Sequence, residues 1–230
     1  MHSPAAPQPA DPVGDSRALR APGVRMRSLL LDAALPLFKA QGLAGTAVSQ
    51  IAQAAGAFPS QVTYYFRSKE ALFVEAACRE VLYAAQQTEL AAAQADTLPA
   101  YVDALVSAAV QADGLVMFIE ALVLARRRQD LAPLIARTTE RLHSEGARAY
   151  AEMRARRGWA LADDPALRAR RFWALVLGVV LRDAAAGAGA AASASEIQAL
   201  LRSEWQLPEA AAAPSGTPAA RLRAVASPPR

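Results

Sequence analysis

A short polar segment, "GAFPSQVTYYFRSKE" (residues 56–70), stands out in a chain that is otherwise rich in Ala, Leu and Arg. Pro59 suits the first position of a helix, because its φ is already helical and an N–H there has no helical partner. On such a helix Val62 and Phe66 lie four residues apart on one face and would pack inward. The outward face then carries hydroxyl and amide groups, those of Ser60, Gln61, Thr63 and Tyr64, with Tyr65 at its border. Gln and Ser can read base edges in the major groove, and tyrosine hydroxyls reach phosphates, so this face is suited to DNA.

Lys69 follows this segment at the start of another predicted helix, which Ser68 would cap. The free N–H groups at a helix start already favour an anion, and a lysine adds positive charge for a phosphate. Only Lys39 and Lys69 are lysines, while the chain has 23 arginines. The alternative is a helical hairpin packed for stability alone, but a polar outward face beside a lysine has no packing purpose.

Two preceding helices would position this segment. The first covers 24–40, where apolar residues recur every three to four positions, and Pro36 should kink it or remove a hydrogen bond. Thr46 can cap a second, short helix that ends at Gly56, a usual place for left-handed backbone. Phe58 should be extended because it precedes proline. A helix, a short helix, a tight turn and another helix form the layout of a helix-turn-helix.

The composition predicts an all-α protein. The chain has 230 residues, of which 53% are hydrophobic, and its long Ala-, Leu-, Arg- and Glu-rich stretches contain few β-branched runs. The single cysteine, Cys78, excludes an intramolecular disulfide and favours a reducing compartment. The N-terminus lacks the apolar core of a signal peptide, and the longest apolar run, 172–181, is too short to span a bilayer. We therefore expect a cytoplasmic protein with no membrane partner.

Positive charge is concentrated near the N-terminus. The net charge of the chain is +4, but residues 16–69 contain seven basic residues and one acid, which leaves −2 for the rest. A basic segment on a near-neutral body indicates a polyanionic partner. An ordinary solvated surface is the alternative that charge alone leaves open.

The ordered motifs of residues 25–75 identify a family resemblance. They are "LLLDAALPLFKAQGLAGTAVSQIAQAAG" and "VTYYFRSKEALF", with the framework "F…G…T…IA…AG", the "YYF" and the "SKEAL" that opens the fourth helix. This stretch resembles the DNA-binding domain of the TetR family of bacterial transcriptional regulators. The resemblance implies an all-helical homodimer of about nine helices, in which the first three bind DNA and a divergent body binds a ligand and dimerises. It also implies DNA contacts by Thr46, Ser49, Pro59, Ser60, Gln61, Thr63, Tyr64, Tyr65 and Lys69.

Three positions depart from the family pattern. Many members have a Ser or similar cap at the position of Phe58, an aromatic at that of Thr63 and a basic residue at that of Ser49. These departures bear on the operator sequence rather than on the fold. The arginines at 17, 20, 25 and 27 are candidates for additional backbone or minor-groove contacts, and for Arg17 and Arg20 a disordered solubilising tail is the alternative.

Four segments are predicted along the chain. They are a disordered N-terminal arm (1–22), a helix-turn-helix DNA-binding domain (23–70), a helical ligand-binding and dimerisation domain (71–207) and a disordered tail (208–230). Helices are expected at 69–94, 98–111, 114–129, 131–157, 164–186 and 194–206. Asp164 before Pro165 signals one start, and Ser193 with Glu196 has the spacing of a capping box for the last helix.

The body offers few candidate ligand residues. Glu120 lies in the apolar stretch "GLVMFIEALVL" (114–124), and a buried carboxylate needs a partner or a raised pKa. We favour a salt bridge to a helix such as that of Arg182, with recognition of a cationic or hydroxylated ligand as the alternative. Met117, Glu120 and Trp173 are the candidates for a ligand site, although Met117 and Trp173 fit a hydrophobic core better.

The last two predicted helices, 164–186 and 194–206, would form the dimer contact as half of a four-helix bundle, in line with the family resemblance. A purely intramolecular core helix is the alternative. The chain has no GxSxG, P-loop, dinucleotide or metal motif, so we predict no catalytic residues, no metal site and no cofactor.

These patterns predict a ligand-responsive dimeric transcriptional regulator, a repressor that a small molecule releases from a palindromic operator. The rival hypothesis is a helical small-molecule-binding or scaffold protein that no longer binds DNA. The missing cap at Phe58, the lost aromatic at Thr63 and the proline at 36 motivate that rival.

Overall fold

The computed structural model describes residues 15–159 and 164–207, and in these ranges the chain forms nine α-helices and no strand. The helices are α1 (Asp15–Gly45), α2 (Val48–Ala54), α3 (Pro59–Phe66), α4 (Lys69–Ala92), α5 (Leu98–Val110), α6 (Gly114–Arg127), α7 (Ala132–Arg157), α8 (Pro165–Ala186) and α9 (Ala190–Glu204). The prediction of an all-α fold is confirmed. The first three helices, called the head below, are followed by a body of six.

The first helix is longer than predicted and bends elsewhere. Its backbone is helical from Asp15, so the described part of the predicted disordered arm is helix, whereas residues 1–14 and the predicted tail lie outside the described range. Pro36 is exposed and does not interrupt the helix, because water can reach the carbonyl that lacks its N–H partner. The non-helical residue is Gly42, with φ 67° and ψ 178°, a conformation open essentially to glycine alone.

Two predicted caps are wrong. Ala47, not Thr46, precedes α2, and no side chain caps that helix from this position. Ser193 lies inside α9, which begins four residues earlier than predicted because a run of alanines continues the helix back to Ala190. The Ser193 hydroxyl donates to the buried carboxylate of Asp183 on α8 at 2.6 Å, so it joins two helices rather than starting one.

Helix α4 is the central element of the fold. It packs against α1, α5, α6 and α7, and it runs from the head into the body. Its Phe73 meets Phe38 of α1 edge to face, with ring centres 5.1 Å apart. Phe118 of α6 is fully buried in the same core. The head and body therefore share one continuous hydrophobic core in the described residues.

No single helix in the described ranges is long and apolar enough to cross a membrane. Helices α5 and α6 satisfy the length and composition criteria only as a pair, and they are bent by 69° at the break between them.

Candidate nucleic-acid interface and an aromatic cavity

The turn between α2 and α3 is built on one glycine. Gly56 has φ 62°, and the N–H of Ala57 donates back to the carbonyl of Ala52 at 2.8 Å, the reverse bond that closes a helix end. Phe58 is extended (φ −92°, ψ 147°) and Pro59 occupies the first turn of α3. The predicted turn and helix start are confirmed. They fix α3 at an angle to α2, as a helix-turn-helix requires.

Two apolar residues anchor α3 and set the face that it presents. Val62 and Phe66 are buried where α3 packs against α2 and α4, while Tyr64 is 80% exposed. Ser60 and Thr63 are also exposed, and Gln61 and Tyr65 are half-buried at the edges. The predicted inward and outward faces of α3 are confirmed. An exposed row of hydroxyl, amide and phenol groups on a short rigid helix fits the major groove.

Gln61 forms one half of a capping box at the start of α3. Its Oε1 accepts a hydrogen bond from the Phe58 N–H at 2.9 Å, which holds the side chain against the helix start. The amide NH₂ of Gln61 is then the group that can donate to a base acceptor. The N–H of Phe58 is thereby satisfied, whereas no side chain at Phe58 accepts from the first N–H groups of α3.

Two of the predicted DNA contacts have partners inside the protein. The side chain of Thr46 is buried, and its hydroxyl donates to the carbonyl of Gly42 at 2.8 Å. The ammonium of Lys69 is half-buried and donates to the Thr46 carbonyl, also at 2.8 Å. Thr46 is therefore not on the outward face. Ser49 of α2 and Pro59 of α3 are exposed beside it.

The arginines of the head fall into two groups. Arg25 is exposed, as is Arg67, which directly follows α3 with a positive φ of 67°. Arg27 instead faces α4, where it donates to both carboxylate oxygens of Glu75 and lies over the Phe66 ring at 4.7 Å. Arg67 was not among the predicted DNA contacts, although its position directly after the polar segment of α3 was the available signal.

Three ion pairs join α1 to α4. Besides the pair of Arg27 with Glu75, Arg79 lies 2.7 Å from Asp32, and Lys39 lies 2.5 Å from Glu80. All three connect the helix that supports α2 and α3 with the helix that enters the body. The orientation of the head is thereby tied to that of α4.

The body encloses a cavity with aromatic walls between α4, α5, α7, α8 and the end of α9. Its rings are those of Tyr101, Tyr150, Phe172, Trp173 and Trp205. Tyr150 lies 6.4 Å from Tyr101 and 5.6 Å from Trp205, measured between ring centres. The centre of a water molecule can occupy about 40 Å³ of the cavity, so the rings must part to admit anything larger.

Two side chains of opposite charge, Arg168 and Glu89, line this cavity. The guanidinium of Arg168 lies 4.0 Å from the ring centre of Trp205, and burial lowers the pKa of this arginine. Glu89 of α4 lies 4.0 Å from Arg148 on α7. Burial raises the pKa of Glu89, with Arg148 lowering it to a smaller extent and Glu145 and Glu152 raising it further.

The structure does not bring the predicted ligand candidates together. Trp173 lines the aromatic cavity, whereas Met117 and Glu120 line a separate cleft between α1 and α6. Glu120 is exposed, so the prediction that it is buried is wrong, and Arg182 pairs with Glu196 (2.8 Å) instead. The sequence does not reveal this, because within the apolar stretch 114–124 only Val116, Glu120 and Val123 are exposed and two of them are apolar.

Sequence reasoning missed Glu89, Tyr101, Tyr150, Arg168 and Trp205 as cavity residues. Their only shared signal was aromatic and charged side chains on otherwise Ala-rich helices, which also fits a surface or a core. In the described ranges, no three His, Cys, Asp or Glu side chains are grouped so as to hold a metal ion.

Family comparison agrees with this geometry. The family model described as bacterial regulatory proteins, tetR family, matches residues 30–76, and a second one, bacterial transcriptional repressor C-terminal, matches residues 99–206. A solved structure of a proposed transcriptional regulator from Rhodococcus sp. RHA1 is 38% identical, with a TM-score of 0.71 over 80% of this chain and 97% of its own. The chain belongs to the TetR family.

More distant structures share the TetR-family fold. A proposed TetR-family regulator from Mesorhizobium loti MAFF303099 is 20% identical, with a TM-score of 0.62 over 79% of this chain and 95% of its own. SmeT, the repressor of the Stenotrophomonas maltophilia multidrug efflux pump SmeDEF, is 20% identical, with a TM-score of 0.50 over 77% of this chain and 89% of its own. No curated protein sequence matches the chain.

Membership in the TetR family makes the chain a DNA-binding, ligand-responsive transcriptional regulator and not an enzyme. Regulators of this family bind DNA and small-molecule effectors and act as dimers.

Proposed function

We propose that this protein is a dimeric repressor that binds a palindromic operator through α3 and leaves it when a small molecule enters the aromatic cavity. The observation that carries the proposal is the face of α3. Val62 and Phe66 are buried, so the helix is rigidly held, while Tyr64 is 80% exposed beside the hydroxyls of Ser60 and Thr63. A row of exposed hydrogen-bonding side chains on a rigidly held helix is the arrangement that base edges and phosphates require.

The exposed groups of the head suggest a division of contacts. Ser60, Gln61 and Thr63 would read base edges, while the Tyr64 hydroxyl would bind a phosphate. The exposed guanidinium of Arg67 is a further phosphate ligand. The remaining proposed contacts are Thr46 through its backbone, Ser49, Pro59, Tyr65 and Lys69.

Exposed apolar side chains on the body support dimerisation through α8 and α9. Leu167 and Leu181 of α8 are 43% and 50% exposed, and Leu200 of α9 is 46% exposed. Ala174 and Gly178 lie exposed between the two leucines at helical spacing, which makes a small and apolar strip from Ala174 to Leu181, with Arg170 and Arg171 between it and Leu167. Burial of such a strip against its copy gives a two-fold dimer, and a two-fold dimer matches a palindrome with half-sites about 34–36 Å apart.

Helix α4 could transmit the effect of ligand binding in the cavity to the DNA-binding head. Its C-terminal half contributes Ala85, Thr88 and Glu89 to the cavity, and its N-terminal half holds the three ion pairs to α1. A ligand that parts the cavity walls would tilt α4 and alter the spacing of the two α3 helices. A coupling of roughly 1–3 kcal/mol is enough to change DNA affinity by about 5–150-fold. Because its operator is chromosomal DNA, we propose that the protein works in the bacterial cytoplasm.

The test is a titration against the DNA flanking its own gene, with footprinting of the complex at two salt concentrations. A protected palindrome and steep loss of affinity with salt are expected. Ser60→Ala and Gln61→Ala should reduce discrimination between operator variants by about 1–3 kcal/mol at the contacted base pair.

Gln87→Ala, an exposed glutamine of α4, is the matched control and should leave discrimination unchanged. A folded dimer that protects no DNA, or variants of Ser60 and Gln61 that discriminate like the wild type, would contradict the proposal.

A further inference from the structure

The start of α3 carries an apolar surface beside its polar one. The side chain of Phe58 is 75% exposed, and the pyrrolidine ring of Pro59 is exposed next to it. Phe58 directly precedes the helix, and Ser60 and Gln61 of the polar face follow two and three positions later. The exposed phenyl ring therefore adjoins the face of the helix-turn-helix that would meet DNA.

The backbone around Phe58 fixes the position of this ring. Its φ of −92° and ψ of 147° are those of extended chain, which the following proline favours. The Phe58 N–H donates to Gln61 Oε1 at 2.9 Å, and the Phe58 carbonyl accepts from the Gln61 N–H, also at 2.9 Å. Both backbone groups of Phe58 are thus bonded to α3, so the ring moves relative to the helix only by rotation about its own side-chain bonds.

The chemistry of the ring limits what it can recognise on DNA. A phenyl group has no hydrogen-bond donor or acceptor, so it cannot read the polar edge of a base pair. The apolar group that marks a base in the major groove is the C5-methyl of thymine, and phenylalanine is one of the side chains that pack on it. Helix-turn-helix proteins place the N-terminal residues of the second helix against base edges, and Phe58 lies at that end of α3.

We propose that Phe58 is a specificity-determining residue whose ring packs on the C5-methyl group of one thymine in each operator half-site. The inference rests on the proposed function, since it requires α3 to enter the major groove, and it adds the base that this residue selects. A serine at this position would cap α3 and present no apolar surface. The phenylalanine instead leaves the first N–H groups without a side-chain acceptor and exposes a ring.

The experiment replaces thymine by uracil, which lacks only the methyl group. The operator is first located by footprinting with the full-length protein. Each thymine of the protected half-sites is then replaced at both symmetric positions, and the affinity of each duplex is measured by fluorescence anisotropy. Uracil keeps the O4 acceptor and the pairing with adenine, so the hydrogen bonds available to the protein are unchanged.

At one thymine, the wild type should bind the uracil duplex about fifteenfold more weakly, since burial of one methyl group corresponds to about fourfold in each of two half-sites. Phe58→Ser should remove this difference at that thymine and leave the response at other thymines as in the wild type. Phe58→Leu, which keeps an apolar contact, should retain part of it.

Two controls separate this contact from a general loss of the fold. Serine is favoured directly before a helix, so Phe58→Ser should melt no earlier than the wild type. Tyr83→Ser removes a ring that is 59% exposed and lies about 21 Å along α4 from its start, and it should keep the wild-type preference for thymine.

The inference would be overturned by a wild type indifferent to uracil at every position or by protected half-sites without thymine. It would equally be overturned if Phe58→Ser kept the wild-type preference for thymine throughout. In these cases the protein still protects a palindrome, so the proposed function stands. A folded protein that protects no DNA would overturn the proposed function and this inference with it.

Discussion

Lys69 shows how one side chain can serve both the fold and the partner. Its ammonium donates to the Thr46 carbonyl at 2.8 Å, which joins the start of α4 to the residue before α2. The same charge lies close to the α3 face that would meet the phosphate backbone. The hydrogen bond stabilises the head, and the positive charge is what DNA binding would use.

Lys69→Ala should weaken binding to operator and non-operator DNA to a similar degree, because a phosphate contact carries no sequence information. The slope of log K against log salt should become less steep by about one. Fluorescence anisotropy over a range of salt concentrations measures both quantities. Lys39→Ala removes the other lysine, which pairs with Glu80 away from α3, and should leave the slope unchanged. If the Lys69→Ala variant had a lower melting temperature but an unaltered salt slope, Lys69 would stabilise the fold without contacting a phosphate.

Glu89 makes stability depend on pH in a direction opposite to that of an ordinary paired carboxylate. Burial raises its pKa, so folding favours the protonated form, and the stability it contributes is lost as pH rises through that raised value. Glu89→Gln has the size and shape of the protonated glutamate side chain and carries no charge at any pH. The variant should therefore melt at a higher temperature than the wild type at pH 7–8, and the difference should vanish near pH 4, about the ordinary pKa of glutamate.

Thermal melts from pH 4 to pH 8 measure this effect. Glu152→Gln is the control, since Glu152 is an exposed partner of Arg148 at 2.9 Å and its loss should not stabilise the protein. A Glu89→Gln variant less stable than the wild type at pH 8 would show that the attraction of Arg148 outweighs burial.

At the scale of helices, local chemistry decided how much could be predicted. Gly56, Pro59 and Ser68 each act on their immediate neighbours, and all three helix boundaries that they predict were found. The outward face of α3 followed from the same local argument, because Val62 and Phe66 recur at helical spacing. The start of α9 did not follow from a local argument. Ser193 donates a hydrogen bond to Asp183, ten residues away on another helix, instead of capping α9.

The cavity was beyond sequence reasoning for the same reason. Arg168 of α8 and Trp205 just after α9 become neighbours only when the two helices pack together. The sequence of either helix alone does not predict this contact. For Glu120 the prediction from its local sequence was wrong. Its apolar neighbours predicted burial, but the angle at which α6 lies on the core turns it outward.

The tie between α1 and α4 should depend on the shape of Arg27 as well as its charge. Arg27→Lys keeps the charge but loses the two-pronged contact with Glu75 and the stacking on Phe66, and we expect a loss of about 1 kcal/mol in the free energy of unfolding. Chemical denaturation measures it. Arg79→Lys, at the more exposed pair with Asp32, should change stability by less than about 0.5 kcal/mol. Equal losses of unfolding free energy in Arg27→Lys and Arg79→Lys would show that the two-pronged contact and the stacking of Arg27 add no stability.

At the scale of the assembly, substitutions of two equally exposed side chains test whether the proposed dimer face on α8 forms the contact. Leu181 of α8 and Val123 of α6 are each 50% exposed. Leu181→Glu should place two carboxylates in the dimer contact and raise the dissociation constant at least about tenfold, whereas Val123→Glu should leave the dimer intact. Light scattering with size-exclusion chromatography gives the mass of each variant. Should Val123→Glu dissociate the dimer and Leu181→Glu not, the contact lies on α6.

The length of α4 between its two sets of contacts has a mechanical consequence. Fourteen residues separate Glu75 at the head from Glu89 at the cavity, and at about 1.5 Å per residue they span about 21 Å. A tilt of about 5° over this distance displaces one end by about 2 Å relative to the other, which is enough to break hydrogen bonds of ordinary length. In the proposed mechanism, α4 would act as a lever through which a small displacement of the cavity wall by a ligand misaligns the protein with its DNA.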